Sequence, residues 1–143
     1  MAIEEKTPVW FWIIGLLALA WNALGVLAYF GQMLRTEEDF AQLTQVEQDL
    51  FANQPFWYTS AFAIAVFAGF VAAVVLLLRK RVAVRIFWVS LIAVLVQFAG
   101  YFILDGYLDY INGQGWIMPI SIPVVAALLV VYARKMEQRG ILT

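Results

Sequence analysis

The sequence predicts an all-α, polytopic membrane protein. A single domain over 1–143 folds as an antiparallel bundle of four transmembrane helices, with a short amphipathic surface helix between spans one and two. Three observations point there. First, 64% of the residues are hydrophobic and 13% charged, with mean hydropathy +0.85. Globular domains carry roughly 45–50% and about 25%, so the surplus must coat the outside of the fold as well as its core. Second, four segments, at about 9–33, 56–78, 83–104 and 116–133, are close to or longer than the ~20 apolar residues that cross ~30 Å of hydrocarbon. Only Arg85, near one end of the third, interrupts them with a charge. Third, the charges sort by connection. Lys6, Arg79, Lys80, Arg81, Arg85, Arg134, Lys135 and Arg139 fall on one side, and Arg35 alone on the other with Glu37, Glu38, Asp39, Glu47, Asp49, Asp105 and Asp109. By the positive-inside rule both termini are cytoplasmic.

The leader "MAIEEKT" has no basic n-region, the apolar run after it is long, and no small-residue cleavage site follows. The first segment is therefore expected to stay in place as a span. Thr7 suits an N-cap and Pro8 the first helical position. After the first span, "TEEDFAQLTQVEQDLF" opens with Thr36 and Asp39 at capping-box spacing, and Phe40, Leu43, Val46, Leu50 and Phe51 share one side of a helical wheel. A helix over 36–52 is expected, lying on lipid, capping the bundle mouth or docking a partner. The connection at 79–82 is so short that the second and third spans must be antiparallel neighbours. "DGYLDYINGQG" reads as a turn-rich loop. Trp10, Trp12 and Trp88 fall near one interface, and Trp57, Tyr58, Tyr107, Tyr110 and Trp116 near the other, as amphipathic rings prefer.

The spans are not uniformly greasy. Along the first, Gly15, Ala18, Asn22, Gly25, Tyr29 and Gln32 recur at steps of three and four, a stripe of small or polar residues. Ser90, Ala93, Gln97 and Gly100, with Tyr101 adjacent, repeat this on the third span; Ala61, Ala65, Gly69 and Ala73 form a small-residue series on the second. Small residues let helices approach closely, and amides hydrogen-bond across the gap. The stripes are expected to face protein, with Gly15, Ala18, Gly25, Ala61, Ala65, Gly69, Ala73, Ala93 and Gly100 as packing positions. Asn22 and Gln97 lie thirteen and fourteen residues into their spans, which puts both ~20 Å in, at about equal depth. Asn22, Gln97, Thr59, Ser60, Tyr101 and Ser121 are expected to converge as a polar cluster, serving either as interhelical glue or as a cavity for a neutral ligand. Pro119 and Pro123 should loosen the outer half of the fourth span.

Composition also excludes chemistry. With no Cys and no His, thiolate and imidazole catalysis and zinc, haem or iron–sulfur ligation by those residues are out. Asp105, Asp109 and Asn112 match no calcium loop. No cofactor, no metal and no enzymatic activity are expected. A net charge of -1 gives no footing for nucleic acid. No ionisable group lies deep in a span, which argues against proton coupling.

The runs "WNALGVLAYFGQM", "AFAIAVFAGFVAAVVLLLRKR" and "VSLIAVLVQ" resemble a group of small bacterial four-span integral membrane proteins of about this length and no assigned mechanism, some loosely labelled sugar transporter. The likeness covers the first three spans and the two connections between them. It implies residence in a bacterial inner membrane. The function expected is a non-enzymatic accessory or assembly component, with the lipid bilayer and a second copy or another membrane protein as partners. The alternative is a transporter of a small neutral, sugar-like solute acting as an oligomer.

Overall fold

The structure is a computed structural model that describes residues 7–143; the leader acids and Lys6 lie outside the described residues. Among the described residues there are seven helices and no strand: α1 (Val9–Met33), α2 (Glu37–Ala41), α3 (Gln45–Ala52), α4 (Phe56–Leu77), α5 (Val82–Ile103), α6 (Tyr107–Gln114) and α7 (Ile117–Gln138). Four of them, α1, α4, α5 and α7, are long and apolar enough to cross a membrane. Helices satisfy their backbone donors and acceptors internally, which hydrocarbon demands. The chain is thus a small multi-pass integral membrane protein. Two details at helix ends differ from expectation. Pro8 itself, in extended conformation, is the N-cap of α1, and no side chain caps the helix, so Thr7 does not. And α7 runs on to Gln138, because its charged last turn emerges from the apolar stretch without a breaker before Gly140.

Interhelical packing follows the small residues. The largest interface joins α4 to α5; α1 lies on the far flank of α4, and α7 on the far flank of α5. Ala61, Ala65 and Gly69 of α4 are buried, as are Ser90, Ala93 and Gly100 of α5. The Ser90 hydroxyl donates to the Ala65 carbonyl at 2.7 Å. A methyl group on Gly100 would come within 2.6 Å of the Tyr58 ring, and one on Gly25 of α1 within 3.1 Å of Val66. Gly15 abuts Leu77 in the same way, while Ala18 and Ala73 sit in the core. Lipid tails are as apolar as leucine, so contact of this closeness, and not hydrophobic exclusion, is what holds such helices together.

The outer two spans share no continuous interface with each other. Among the described residues they meet at the end carrying the basic residues. There the Trp10 and Phe11 rings lie 6.2 and 6.4 Å from that of Tyr132, and the Arg139 guanidinium lies 5.3 Å from the Trp10 ring. The spans thus form a curved row, α1–α4–α5–α7, pinched shut at the basic end. The edge helices present most surface to lipid: 11% of the apolar window of α7 is buried, against 39% in α5.

The basic end is also plugged. Gly140, at φ 76°, ends α7 with a Schellman motif in which the Ile141 and Gly140 N–H groups donate to the Met136 and Glu137 carbonyls. This turns Ile141 and Leu142 back into the core beside Phe11, Leu76, Ala83 and Phe87, both fully buried. Arg79 forms the other half of the plug. It ends α4 in the same motif at φ 60°, a conformation that residues with a side chain rarely adopt. Its Nε donates to the Ile141 carbonyl at 3.0 Å, and its own carbonyl accepts from the Thr143 N–H at 2.8 Å.

Two connections differ from the sequence expectation. The segment 36–52 is two helices, not one, because it holds two capping boxes. Thr36 and Asp39 open α2; Thr44 and Glu47 open α3, with the Glu47 N–H donating to Thr44 Oγ1 and the Thr44 N–H to Glu47 Oε2. Glu47 is thus the reciprocal partner of a cap. The stretch after α5 is a helix, α6, set off by Gly106 at φ 84°. Leu50 of α3 packs with Tyr58 and Tyr107, so both short helices cap the bundle mouth.

Ile141→Ala should lower the unfolding free energy by about 2–5 kcal/mol and Ile141→Val by about 0.5–1.5, measured by denaturation in mixed micelles. A loss below about 0.5 kcal/mol for alanine would show that the plug is not part of the core.

Candidate functional site

Where the basic end is packed, the acidic end is hollow. A cavity of about 710 Å³ lies between all four spans, roofed by α3 and α6. Its deep end is formed by Asn22, Ala65, Phe87 and Ser90, and its upper end by Gln54, Tyr107 and Tyr110. On α1 the wall runs from Trp21 to Gln32 and on α7 from Ile117 to Leu129, which is about 16–18 Å of helix. That is close to the depth of one leaflet's hydrocarbon, half of ~30 Å.

Amides and hydroxyls stand at intervals on a mainly apolar wall. Asn22 rests against Gly69, where a methyl group would overlap its Oδ1 and lie 3.1 Å from Ser90 Oγ. Its Nδ2 donates to the Ala18 carbonyl at 2.8 Å. Higher up, the Tyr58 hydroxyl is flanked by Gln97 and Tyr101, and the rings of Tyr58, Tyr101 and Tyr107 pack within 5.3–6.4 Å of one another. The roof is tied by hydrogen bonds. Gln32 Nε2 donates to Gln54 Oε1 at 2.7 Å, Gln54 Nε2 to the Tyr107 hydroxyl at 3.4 Å, and that hydroxyl to the Leu50 carbonyl at 3.4 Å.

Among the described residues, Glu47 is the one charged residue on the wall. Its carboxylate is held below the usual range, first by the Thr44 backbone N–H and then by the Tyr110 hydroxyl, which donates at 2.9 Å. Burial pushes the Tyr107 hydroxyl up; burial and then the Glu47 bond do the same for Tyr110. The Arg35 guanidinium lies 4.6 Å from the Phe51 ring, and with Gln32, Gln54 and Thr59 it lines a separate outer depression of about 470 Å³. Gln32, Phe51 and Gln54 border both spaces and form the partition between them.

The six residues expected to converge do so only in part. Asn22, Gln97 and Tyr101 are on the cavity wall; Thr59, Ser60 and Ser121 are not. Helical geometry is the reason. Tyr58 occupies the inward position of its turn, leaving Thr59 to the outer depression, its hydroxyl 3.5 Å from the Pro55 carbonyl. On α7, Pro119 and Ile122 take the wall positions, and the Ser121 hydroxyl donates to the Ile117 carbonyl. Equal depth does not hold either. Asn22 is level with Ser90 beside Gly69, and Gln97, seven residues further along α5, stands about 10 Å nearer the acidic end. The α1 helix reaches further toward the basic side than α5, so counting from span starts misaligns them.

Missed altogether were Tyr58, Gln54, Tyr107, Tyr110 and Glu47. A signal existed: Glu47, Leu50, Phe51 and Gln54, and likewise Tyr107, Tyr110, Ile111 and Gln114, follow i, i+3, i+4, i+7, and all eight line the cavity. Two short helices each present one such face downward. Fold and site together define the class: a four-span integral membrane protein with a cavity inside its bundle. Compared with protein-family models, curated proteins and solved structures, the chain matches none.

Gly69→Ala should cost about 1–3 kcal/mol through overlap with Asn22, and adding Asn22→Ala should recover most of the loss; a double-mutant cycle whose two losses simply add would contradict the contact. The depressed Glu47 contributes stability in full above its ordinary value of 4.5, and that contribution is lost as pH falls through the lower native value. Thermal unfolding between pH 6 and 3 should therefore be less pH-dependent in Glu47→Gln than in the parent, and an unchanged dependence would contradict the Thr44–Glu47–Tyr110 arrangement.

Proposed function

We propose that this protein is a non-enzymatic membrane protein that holds a small, uncharged and largely apolar molecule inside its bundle, in the half of the membrane facing the acidic end. The observation that carries the reading is the 710 Å³ hollow at the level of the amides. An accessory subunit whose amides were only glue would have its helices closed around Asn22 and Gln97. Instead the space lies in the range of small-molecule pockets, with few polar groups on apolar walls. The wall carries no cation, and its only charge, Glu47, is negative and already hydrogen-bonded. An anionic ligand would be repelled and left unpaired in a medium of low dielectric.

The same geometry bears on transport of a sugar-like solute. The hollow lies at the acidic end of the bundle; a passage to the other side would need the Arg79–Ile141 plug to open. Sugars also demand hydrogen bonds over most of their surface, and this wall is mainly apolar. Capture and holding, or delivery to a second copy or a membrane partner, fit the cavity better than alternating access. The orientation that goes with the basic residues puts both chain ends on the cytoplasmic side of the membrane.

Replacing Asn22 and Gln97 together by leucine should leave the helical content intact and abolish the thermal stabilisation given by a neutral single-chain amphiphile such as a monoacylglycerol. Stabilisation equal to that of the parent would show that the cavity is not the binding site.

A further inference from the structure

The cavity has lips. Three of its large apolar wall residues are at the same time strongly exposed: Leu24 of α1 at 64%, and Ile117 and Met118 of α7 at 86% and 62%. They stand on the two helices that share no continuous interface. The gap between α1 and α7 therefore joins the cavity to the lipid-facing surface. At the acidic end the Gln32–Gln54–Tyr107 chain and the Phe51 ring lie across part of the mouth, and the exposed Gln114 and Gly115 border it on the α6–α7 side. The distribution of chemistry follows the same axis. Apolar lips face the acyl chains, while amides and tyrosine hydroxyls line the inside and the underside of the roof.

We infer that the gap between α1 and α7 is a lateral portal through which a membrane-dissolved neutral amphiphile reaches the cavity from one leaflet, its hydrogen-bonding head among Gln97, Tyr58 and Tyr101 and its chain trailing toward Leu24 and Met118. The inference rests on the ligand-holding reading and adds to it the ligand class and its route. The wall extends about one leaflet deep, so a chain can lie along it without leaving the hydrocarbon. Polar groups inside a membrane are expensive to leave unpaired, and a hydroxyl or ester head exchanges hydrogen bonds with these amides and hydroxyls. Phosphate heads fit poorly, since the wall offers no Lys or Arg and a charge in such a place needs a partner.

Because the chain contains no cysteine, the portal can be closed by design. Leu24→Cys and Met118→Cys, both at exposed positions, are combined and joined with a flexible bismaleimide in protein reconstituted into phosphatidylcholine vesicles. The probe is a monoacylglycerol with a diazirine in its chain. In the open protein, photolabel is expected on peptides holding Gln97 and residues 117–129, above the level on the lipid-facing Leu16–Leu17 stretch. Joining the two helices should lower the rate of cavity labelling at least tenfold below that of the same two-cysteine protein left unjoined, and below that of either single-cysteine variant carrying the reagent. Undiminished labelling in the joined protein would overturn the portal but leave ligand binding standing. Label confined to lipid-facing positions in the open protein would overturn the portal and the ligand-holding reading together. Cross-links between two copies across the gap, in place of links within one copy, would also overturn the portal, by showing that a second copy fills the space.

Discussion

The close approach of α4 to α5 is the contact on which everything else rests. Ala61, Ala65 and Gly69 on one helix and Ser90, Ala93 and Gly100 on the other leave room for the backbones to come together, and the Ser90–Ala65 hydrogen bond fixes their rotation. In lipid, no solvent squeezes apolar helices together, so a contact of this kind has to be built from shape and a few polar bonds. Once the central pair is set, α1 and α7 are carried on its two flanks and need not touch. Bulk on this line would push α4 and α5 apart, move both flanking helices and change the size of the space between them.

The two ends of the bundle show opposite solutions to filling that space. At the basic end it is filled by Phe11, Phe87, Leu76 and Met136 and by the returning Ile141 and Leu142. At the acidic end it stays open: Phe62, Phe87, Ile122 and Leu129 line it without meeting across it, with Asn22, Ala65, Ser90 and Gln97 between them and tyrosines at the rim. In a soluble protein such a hollow would cost stability through lost dispersion contacts. In a membrane the surrounding acyl chains can supply those contacts, and the opening between α1 and α7 gives them a way to do so. The cavity is then a property of the protein and its solvent together.

Much of the architecture was legible in the residues. The spans follow from hydropathy alone, and the direction of the stripes from spacing: Gly15, Gly25 and Gly69 do stand against neighbouring helices. What was not legible had local physical causes. Thr44 and Glu47 split the surface helix with a second capping box, which the run of apolar residues at helical spacing across it conceals. The residues at 141–143 gave no signal of burial, because a three-residue segment has no periodicity; only Gly140 hinted that the chain turns back there. Thr59 and Ser121 were grouped with Asn22 by depth, but depth alone does not say which way a side chain points, and one residue of offset is 100° on a helix. The hollow itself was beyond reach of the sequence. It depends on how far two non-adjacent helices diverge, and no pairwise pattern encodes that.

The central claim is that α1 and α7 touch at one end and part at the other. Spin labels on exposed positions would measure it directly, with Val9 and Val131 replaced by labelled cysteines at the basic end in one variant, and Leu27 and Ile120 at the acidic end in another. In lipid bilayers, pulsed electron–electron distance measurements should give a short, narrow separation for the first pair and a longer, broader one for the second. Equal, narrow separations at both ends would mean that the bundle is closed along its whole length and that the hollow does not exist in the membrane.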